Sequence, residues 1–223
     1  MPYLYLVRHA QPDFAGHYDS VTELGLRQSA WLGEHFAARG LRFARVISGG
    51  LQRQRHTLEA ILRLLPEAPA AITDARFDEY DAASVLGAFE FGDERALRAT
   101  GDRAAYFTAV RDALRAWSRQ HEAIAGGESW AQFGARIEVG LASACSGLER
   151  DDAVLVVTSG GVIGRAVAGI LAAGPDAAIQ LNLQTRNTGV SEIVRGRSAS
   201  RLVAFNAVPH LEGADRAHAV THS

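Results

Sequence analysis

Apolar positions recur along the chain in two alternating rhythms. Residues 3–7, YLYLV, form a short aromatic and β-branched run that predicts a buried strand. Residues 22–39 carry helical spacing, with Thr22 as N-cap and Gly40 as terminator. Leu26, Ala30, Gly33 and Ala37 share one face of that helix, a stripe of mostly small side chains suited to lying on a sheet. Residues 43–48 predict a second strand, 53–65 a second helix closed by Pro66, and 71–73 a short third strand. Phe107, Val110, Leu114 and Trp117 align on a helix over 102–121. Ser129 and Gln132 form a capping box ahead of a helix whose apolar side is Trp130, Phe133, Ile137 and Leu141. Residues 153–158 give the strongest strand signal, with a helix over 161–173 behind it. A final pair of strands, 189–194 and 201–205, turns at Gly196.

Strands alternating with helices predict an α/β fold: three layers, with helices on both faces of a mostly parallel central sheet. Residues 81–127 carry helical pattern but no strand, and predict a cap or excursion over the active-site edge. The expected organisation is a single domain over 1–212 followed by a polar, alanine-rich, flexible tail over 213–223.

Composition narrows the chemistry. The 223 residues, 48% hydrophobic and 22% charged, suit one sizeable core. Basic residues number 23 against 25 acidic, and a net charge of −2 gives no drive to wrap nucleic acid or an anionic membrane. All of the basic residues are arginine. Without lysine, Schiff-base chemistry and a phosphate-loop nucleotide site are excluded. Cys145 is the single cysteine, which excludes an internal disulfide and a cysteine-rich metal site. No apolar run reaches the ~20 residues of a membrane span. The start, MPYLYLVRHA, meets charge at Arg8 without a basic leader and does not read as a secretory signal. A cytoplasmic protein is the expectation.

In open α/β sheets, ligands bind beyond the carboxyl ends of the strands. The first strand here runs into Arg8-His9-Ala10-Gln11, the second into Ser48-Gly49-Gly50-Leu51-Gln52-Arg53, and the strand over 153–158 into Ser159-Gly160-Gly161. Two arginines, a histidine and two glycine turns would share one rim. Glycine-flanked amides and helix N-termini make an anion cradle there, and the planar arginine fork matches phosphate oxygens. The convergent ligand is a phosphoryl group.

Arg8-His9-Ala10-Gln11 resembles the RHG(E/Q) signature of the histidine phosphatase, or phosphoglycerate mutase-like, superfamily. The resemblance continues through Val21-Thr22-Glu23-Leu24-Gly25, the Ser48, Leu51, Arg53 and Thr57 set, Gly127-Glu128-Ser129, residues 156–163, and Asn206 with His210-Leu211. It implies that His9 is a nucleophile transiently phosphorylated on a ring nitrogen. It implies that Arg8 and Arg53 clamp the phosphoryl oxygens and that Glu79 protonates the leaving oxygen; Ser159 and Gly160, on the same glycine-flanked rim, are further phosphate-binding candidates. Neither metal nor cofactor is implied, and the expected partner is a small phosphorylated substrate.

One position departs from the family pattern. Where the superfamily places a second histidine in Ser-His-Gly-Gly, this chain has Ser159, which can donate one hydrogen bond but carries no charge. Losing a charge-assisted contact to the transferring oxygens costs about 1.5–3 kcal/mol, or roughly tenfold to a hundredfold in rate. The expectation is a weakened or specialised phosphatase, in which Ser159→His raises activity if the site is otherwise intact. His56 and His210 are candidate substitutes, and Gln11 a candidate substrate contact. Ala15 stands where the pattern has an asparagine, which argues against mutase activity. His17, His35 and His121 read as surface or interface residues, and His218 and His222 as part of the frayed tail.

Two other functions compete with a phosphatase. One keeps the fold and loses turnover, leaving a phosphate-ligand-binding protein. The other is an esterase using Ser159 in a strand–turn–helix elbow, although Val157 occupies the place of that motif's first glycine.

Overall fold

The computed structural model describes residues 1–14, 16–196 and 199–222. Ala15, on which the expectation against mutase activity rests, lies outside the described residues. The strands are β1 (Tyr3–Arg8), β2 (Phe43–Ser48), β3 (Ile72–Thr73), β4 (Ala153–Thr158), β5 (Val190–Arg195) and β6 (Ser200–Ala207). The helices are α1 (Glu23–Ala38), α2 (Gln52–Leu62), α3 (Ala82–Ala88), α4 (Glu94–Ala99), α5 (Arg103–Arg119), α6 (Trp130–Cys145), α7 (Gly160–Ile170) and α8 (Pro175–Gln184).

The strands form one sheet in the order β3-β2-β4-β1-β5-β6. β3, β2, β4 and β1 run parallel, and the hairpin β5–β6 lies antiparallel at the far edge. Period-two alternation divides the core between the faces. Leu4, Leu6, Val154 and Val156 pack under α5, α6, α7 and α8. Tyr5, Val7, Leu155 and Val157 pack under Leu32 and Phe36 of α1 and Leu58 and Ile61 of α2. The fold is thus three-layered α/β/α.

Register fixes where the site can be. Arg8 pairs with Thr158 and Ser48 with Val157, so the carboxyl ends of β1, β2 and β4 lie level. The ladder continues past the strands: the His9 amide donates to Thr158 O at 2.8 Å and the Gly49 amide to Val157 O at 3.1 Å.

Several expectations need correction. The face of α1 that packs inward is made by Gly25, Gln28, Ser29, Leu32, Gly33 and Phe36 and shares only Gly33 with the predicted stripe, whose Leu26 is 43% exposed. Gln28 and Ser29 can be buried because their polar atoms are paired. Gln28 accepts from the Gln11 amide and donates to Ala219 O and Thr221 Oγ1, while Ser29 donates to Gly25 O. α7 ends at Ile170, ahead of a turn in which Ala172 has a φ of +51°, and α8 follows as an element the sequence reading lacked. The expected flexible tail is packed along the body: Ala219 is buried against Val208 and Leu211, and Thr221 O accepts from the Asn187 amide at 3.0 Å. Residues 81–127 carry α3, α4 and α5 without a strand. No helix among the described residues is long and apolar enough to cross a membrane.

Candidate active site

His9 begins where β1 ends. Its Nδ1 lies 2.8 Å from Ala10 O, and because a carbonyl only accepts, the proton sits on Nδ1 and Nε2 keeps its lone pair. The backbone around the ring is held from three directions. The Ala10 amide donates to Thr57 Oγ1 at 2.9 Å, Asn187 Nδ2 donates to His9 O at 3.2 Å, and the Thr188 amide donates to Arg8 O at 3.1 Å. Burial, then the charges of Arg53 and Arg8, push the His9 imidazole well below its ordinary pKa of 6.5. The ring is therefore neutral at physiological pH.

Arg8 and Arg53 are 5% and 8% exposed. Arg8 Nη1 donates to Thr185 O. Arg53 sits in the first turn of α2, and its Nη1 donates to Asp19 Oδ1 at 2.9 Å. Asp19 also accepts from the Gln52 and Arg53 amides, so a carboxylate from the first loop caps α2. Arg53 Nε is buried with no hydrogen-bond partner among the described residues.

Glu79 follows a 3₁₀ turn, Ala75–Phe77, whose last carbonyl accepts from Thr158 Oγ1 and Gln54 Nε2. Its carboxylate accepts from the Gly161 amide at 2.8 Å and from the Tyr80 amide at 3.2 Å. The approach to α7 requires glycine: a Cβ on residue 161 would lie 2.2 Å from Glu79 Oε1. Burial raises the Glu79 pKa above its ordinary 4.5, with the Gly161 amide and Arg53 pulling the other way.

Arg8, His9, Arg53 and Glu79 line one cleft of about 850 Å³. The other residues singled out in the sequence do not line it. Ser159 is 1% exposed and its Oγ accepts from Gln54 Nε2 at 2.9 Å, while Gly160 is buried against Asn182 and Thr185. Gln11 accepts from Thr22 Oγ1 at 2.8 Å, stitching the first loop to α1. His56 rides on α2 away from the cleft, and His210 is buried with its Nε2 at 2.8 Å from Thr188 Oγ1. Conversely, the cleft is lined by His17, read from sequence as a surface residue, and by Tyr18, Arg95 and Arg98. For Arg95 and Arg98 the only signal was the expectation that residues 81–127 cover the mouth; for His17 and Tyr18 there was none. Among the described residues no group of three His, Cys, Asp or Glu side chains could hold a metal ion.

The sequence profile of the histidine phosphatase superfamily (branch 1) matches residues 4–208. The chain belongs to this superfamily. Solved structures of the same fold include YhfR of Bacillus stearothermophilus, at 22% identity and a TM-score of 0.70, covering 95% of this chain and 100% of that one. A mycobacterial glucosyl-3-phosphoglycerate phosphatase in complex with inorganic phosphate aligns at 22% identity and 0.66, covering 92% and 97%. The phosphoserine phosphatase of Entamoeba histolytica, in complex with phosphoserine, aligns at 16% identity and 0.61, covering 95% and 100%. No curated protein matches the chain. In this histidine phosphatase-superfamily chain, Arg8-His9 and the helix-borne Arg53 line the same cleft.

Proposed function

We propose that this protein is a phosphatase that hydrolyses a phosphomonoester through a phosphohistidine on His9. The observation that carries the reading is the hydrogen bond from Nδ1 to Ala10 O, which leaves a neutral Nε2 lone pair beside two buried guanidinium groups. In the first step Nε2 attacks phosphorus in line, the ester P–O bond breaks, and the Glu79 carboxyl protonates the departing alkoxide. In the second, the Glu79 carboxylate takes a proton from water, the hydroxide attacks phosphorus, and the P–N bond breaks to release phosphate. Arg8 and Arg53 neutralise the equatorial oxygens throughout, where phosphoryl transfer makes its main demand on a protein. The raised pKa of Glu79 suits a group that must carry a proton in the first step. Ala15 supports hydrolysis over mutase transfer, on the resemblance alone.

A second reading, a phosphate-ligand-binding protein without turnover, draws on Ser159, whose hydroxyl faces Gln54 and contributes nothing to the cleft wall. The esterase reading has no such support, since that hydroxyl is buried away from the cleft. Rapid quenching with a labelled phosphoester separates the two that remain. Acid-labile label on the native chain, absent from His9→Ala, together with phosphate release, is the expected result. Tight vanadate binding with neither label nor release would leave only the binding protein.

A further inference from the structure

A second groove, of about 670 Å³, opens at the other end of the molecule. Tyr3 pairs with Val194 and the Arg195 amide donates to Pro2 O at 3.0 Å, so the end of β5 lies at the amino end of β1, opposite the edge that bears His9. The groove runs between α6 and α7 to Arg195 and shares no lining residue with the first cleft. Three charged side chains line it. Arg195 donates to Glu138, which leaves that pair without net charge. Arg165, in the middle of α7, makes no hydrogen bond and no ion pair among the described residues, and its Nε is buried. Burial lowers the Arg165 pKa, and no carboxylate pulls the other way.

A long cationic side chain ordinarily carries its head out to water. Here α6 supplies a seat for the head instead. Trp130 and Gly134 stand one turn apart on that helix and so share a face. Arg165 Cζ lies 5.4 Å from the Trp130 ring centroid. A Cβ on residue 134 would fall 2.4 Å from Arg165 Nη2 and 2.8 Å from Nε, so the guanidinium lies against bare helix backbone. Glycine inside a helix is a poor helix former beside alanine, and room for the guanidinium is what this one provides. A buried donor without an acceptor is costly, and a fork already seated loses little freedom on taking an oxyanion. With Arg195 and Glu138 paired, the groove carries one positive charge, which suits a monoanion. Ile137, Ala166 and Ile170 continue it as an apolar floor.

We propose that Arg165 heads a binding site for a small apolar carboxylic acid, its carboxylate forked on the guanidinium and its hydrocarbon laid over Ile137, Ala166 and Ile170. The site is independent of any reaction at His9 and is tested by binding alone. The indole N–H of Trp130 reports it in a proton–nitrogen correlation spectrum, where its resonance is assigned by its loss in Trp130→Phe. Octanoate is expected to shift this resonance saturably and to bind roughly tenfold or more tighter than octanol, the worth of one charge-assisted hydrogen bond. The resonance of Trp31, which lies on α1 across the sheet, stays still. Arg165→Gln removes the charge and weakens octanoate by the same factor. Gly134→Ala keeps the charge, favours the helix and fills the seat, and it weakens octanoate likewise. Arg53→Gln, which strips the first cleft of a guanidinium, leaves the affinity within about twofold. No saturable shift on the native chain, equal affinity for octanol, or octanoate affinity unchanged in either Arg165→Gln or Gly134→Ala overturns the site. Octyl phosphate bound tenfold tighter than octanoate overturns the carboxylate in favour of a phosphate head.

Discussion

Gln54 is fully buried in the first turn of α2, and its amide is used on both sides: Nε2 donates to Ser159 Oγ and Phe77 O, and Oε1 accepts from the Leu51 amide. This side chain fills the ground that a larger residue at 159 would need. The expectation that Ser159→His raises activity therefore requires revision. An imidazole placed against Gln54 overpacks a filled site at a cost of about 1–3 kcal/mol. For a chain of this size that lowers Tm by roughly 2–4 °C per kcal/mol. Ser159→His alone is expected to melt earlier and gain no turnover, whereas Ser159→His with Gln54→Ala should recover the melting temperature and raise kcat about tenfold or more. Thermal melts and phosphate release on both variants check this; a single substitution that raises kcat at unchanged Tm would show that Gln54 is no obstacle. The same residues explain what could be read in the sequence at this scale. Arg8, His9 and Arg53 were legible because they end a strand, follow it or sit in the first turn of a helix, whereas Glu79, in the loop after a 3₁₀ turn, was legible only through the family resemblance. Arg98, Tyr18 and His17 were not, because their approach to the cleft depends on how a loop and a short helix settle over the sheet.

Elements meet at the back of His9 through a strap of chain that sequence alone presented as frayed. Thr221 accepts from the Asn187 amide and from Gln28 Nε2, and its own hydroxyl donates to Asn187 Oδ1 at 2.9 Å. Asn187 in turn donates to His9 O. The tail thus ties α1 to the turn that supports the end of β1. Removing residues 213–223 would strip the buried Gln28 amide nitrogen of both its acceptors, at about 1–3 kcal/mol for a buried group left unpaired. The truncated chain is expected to melt several degrees earlier and to lose protection of the Asn187 and Thr188 amides in hydrogen exchange. Melting and exchange identical to the full chain would show that the strap carries no load. Strand and cap signals were legible for the reason that they are local: Thr22 accepts from the Gly25 amide and Ser129 from the Gln132 amide, both as the spacing predicts. The inward face of α1 and the presence of α8 were not. Gln28 and Asn182 are polar residues buried by partners distant in sequence, and no periodicity records such partners.

Across the whole molecule, the buried histidines link the fold to pH. His210 is 4% exposed, and burial, with His35 and Arg216 adding positive charge, pushes its pKa down to about 3. His35 lies 6.4 Å away between ring centroids and is itself shifted down by burial and Arg39, against the opposing pull of Glu192 and Glu212. Unfolding releases His210 to its ordinary pKa of 6.5, so below that pH the unfolded chain binds a proton that the folded chain does not. The stability this group contributes is complete above pH 6.5 and declines as pH falls toward 3, at about 1.4 kcal/mol per pH unit. Glu79 and Asp78 act in the opposite sense, since their raised values mean that acid relieves a penalty of folding. A comparison within one variant pair removes that background. His210→Gln keeps a hydrogen-bonding side chain beside Thr188 Oγ1 but cannot take up a proton in this range. Urea midpoints at pH 7.5 and pH 5.0 are expected to fall further for the native chain than for His210→Gln, by an amount equivalent to about 2 kcal/mol. Any uniform cost of the substitution cancels, because only the difference between the two pH values is read. Parallel falls would place the acid sensitivity elsewhere, with His9 as the remaining deeply buried imidazole whose pKa is shifted in the same direction.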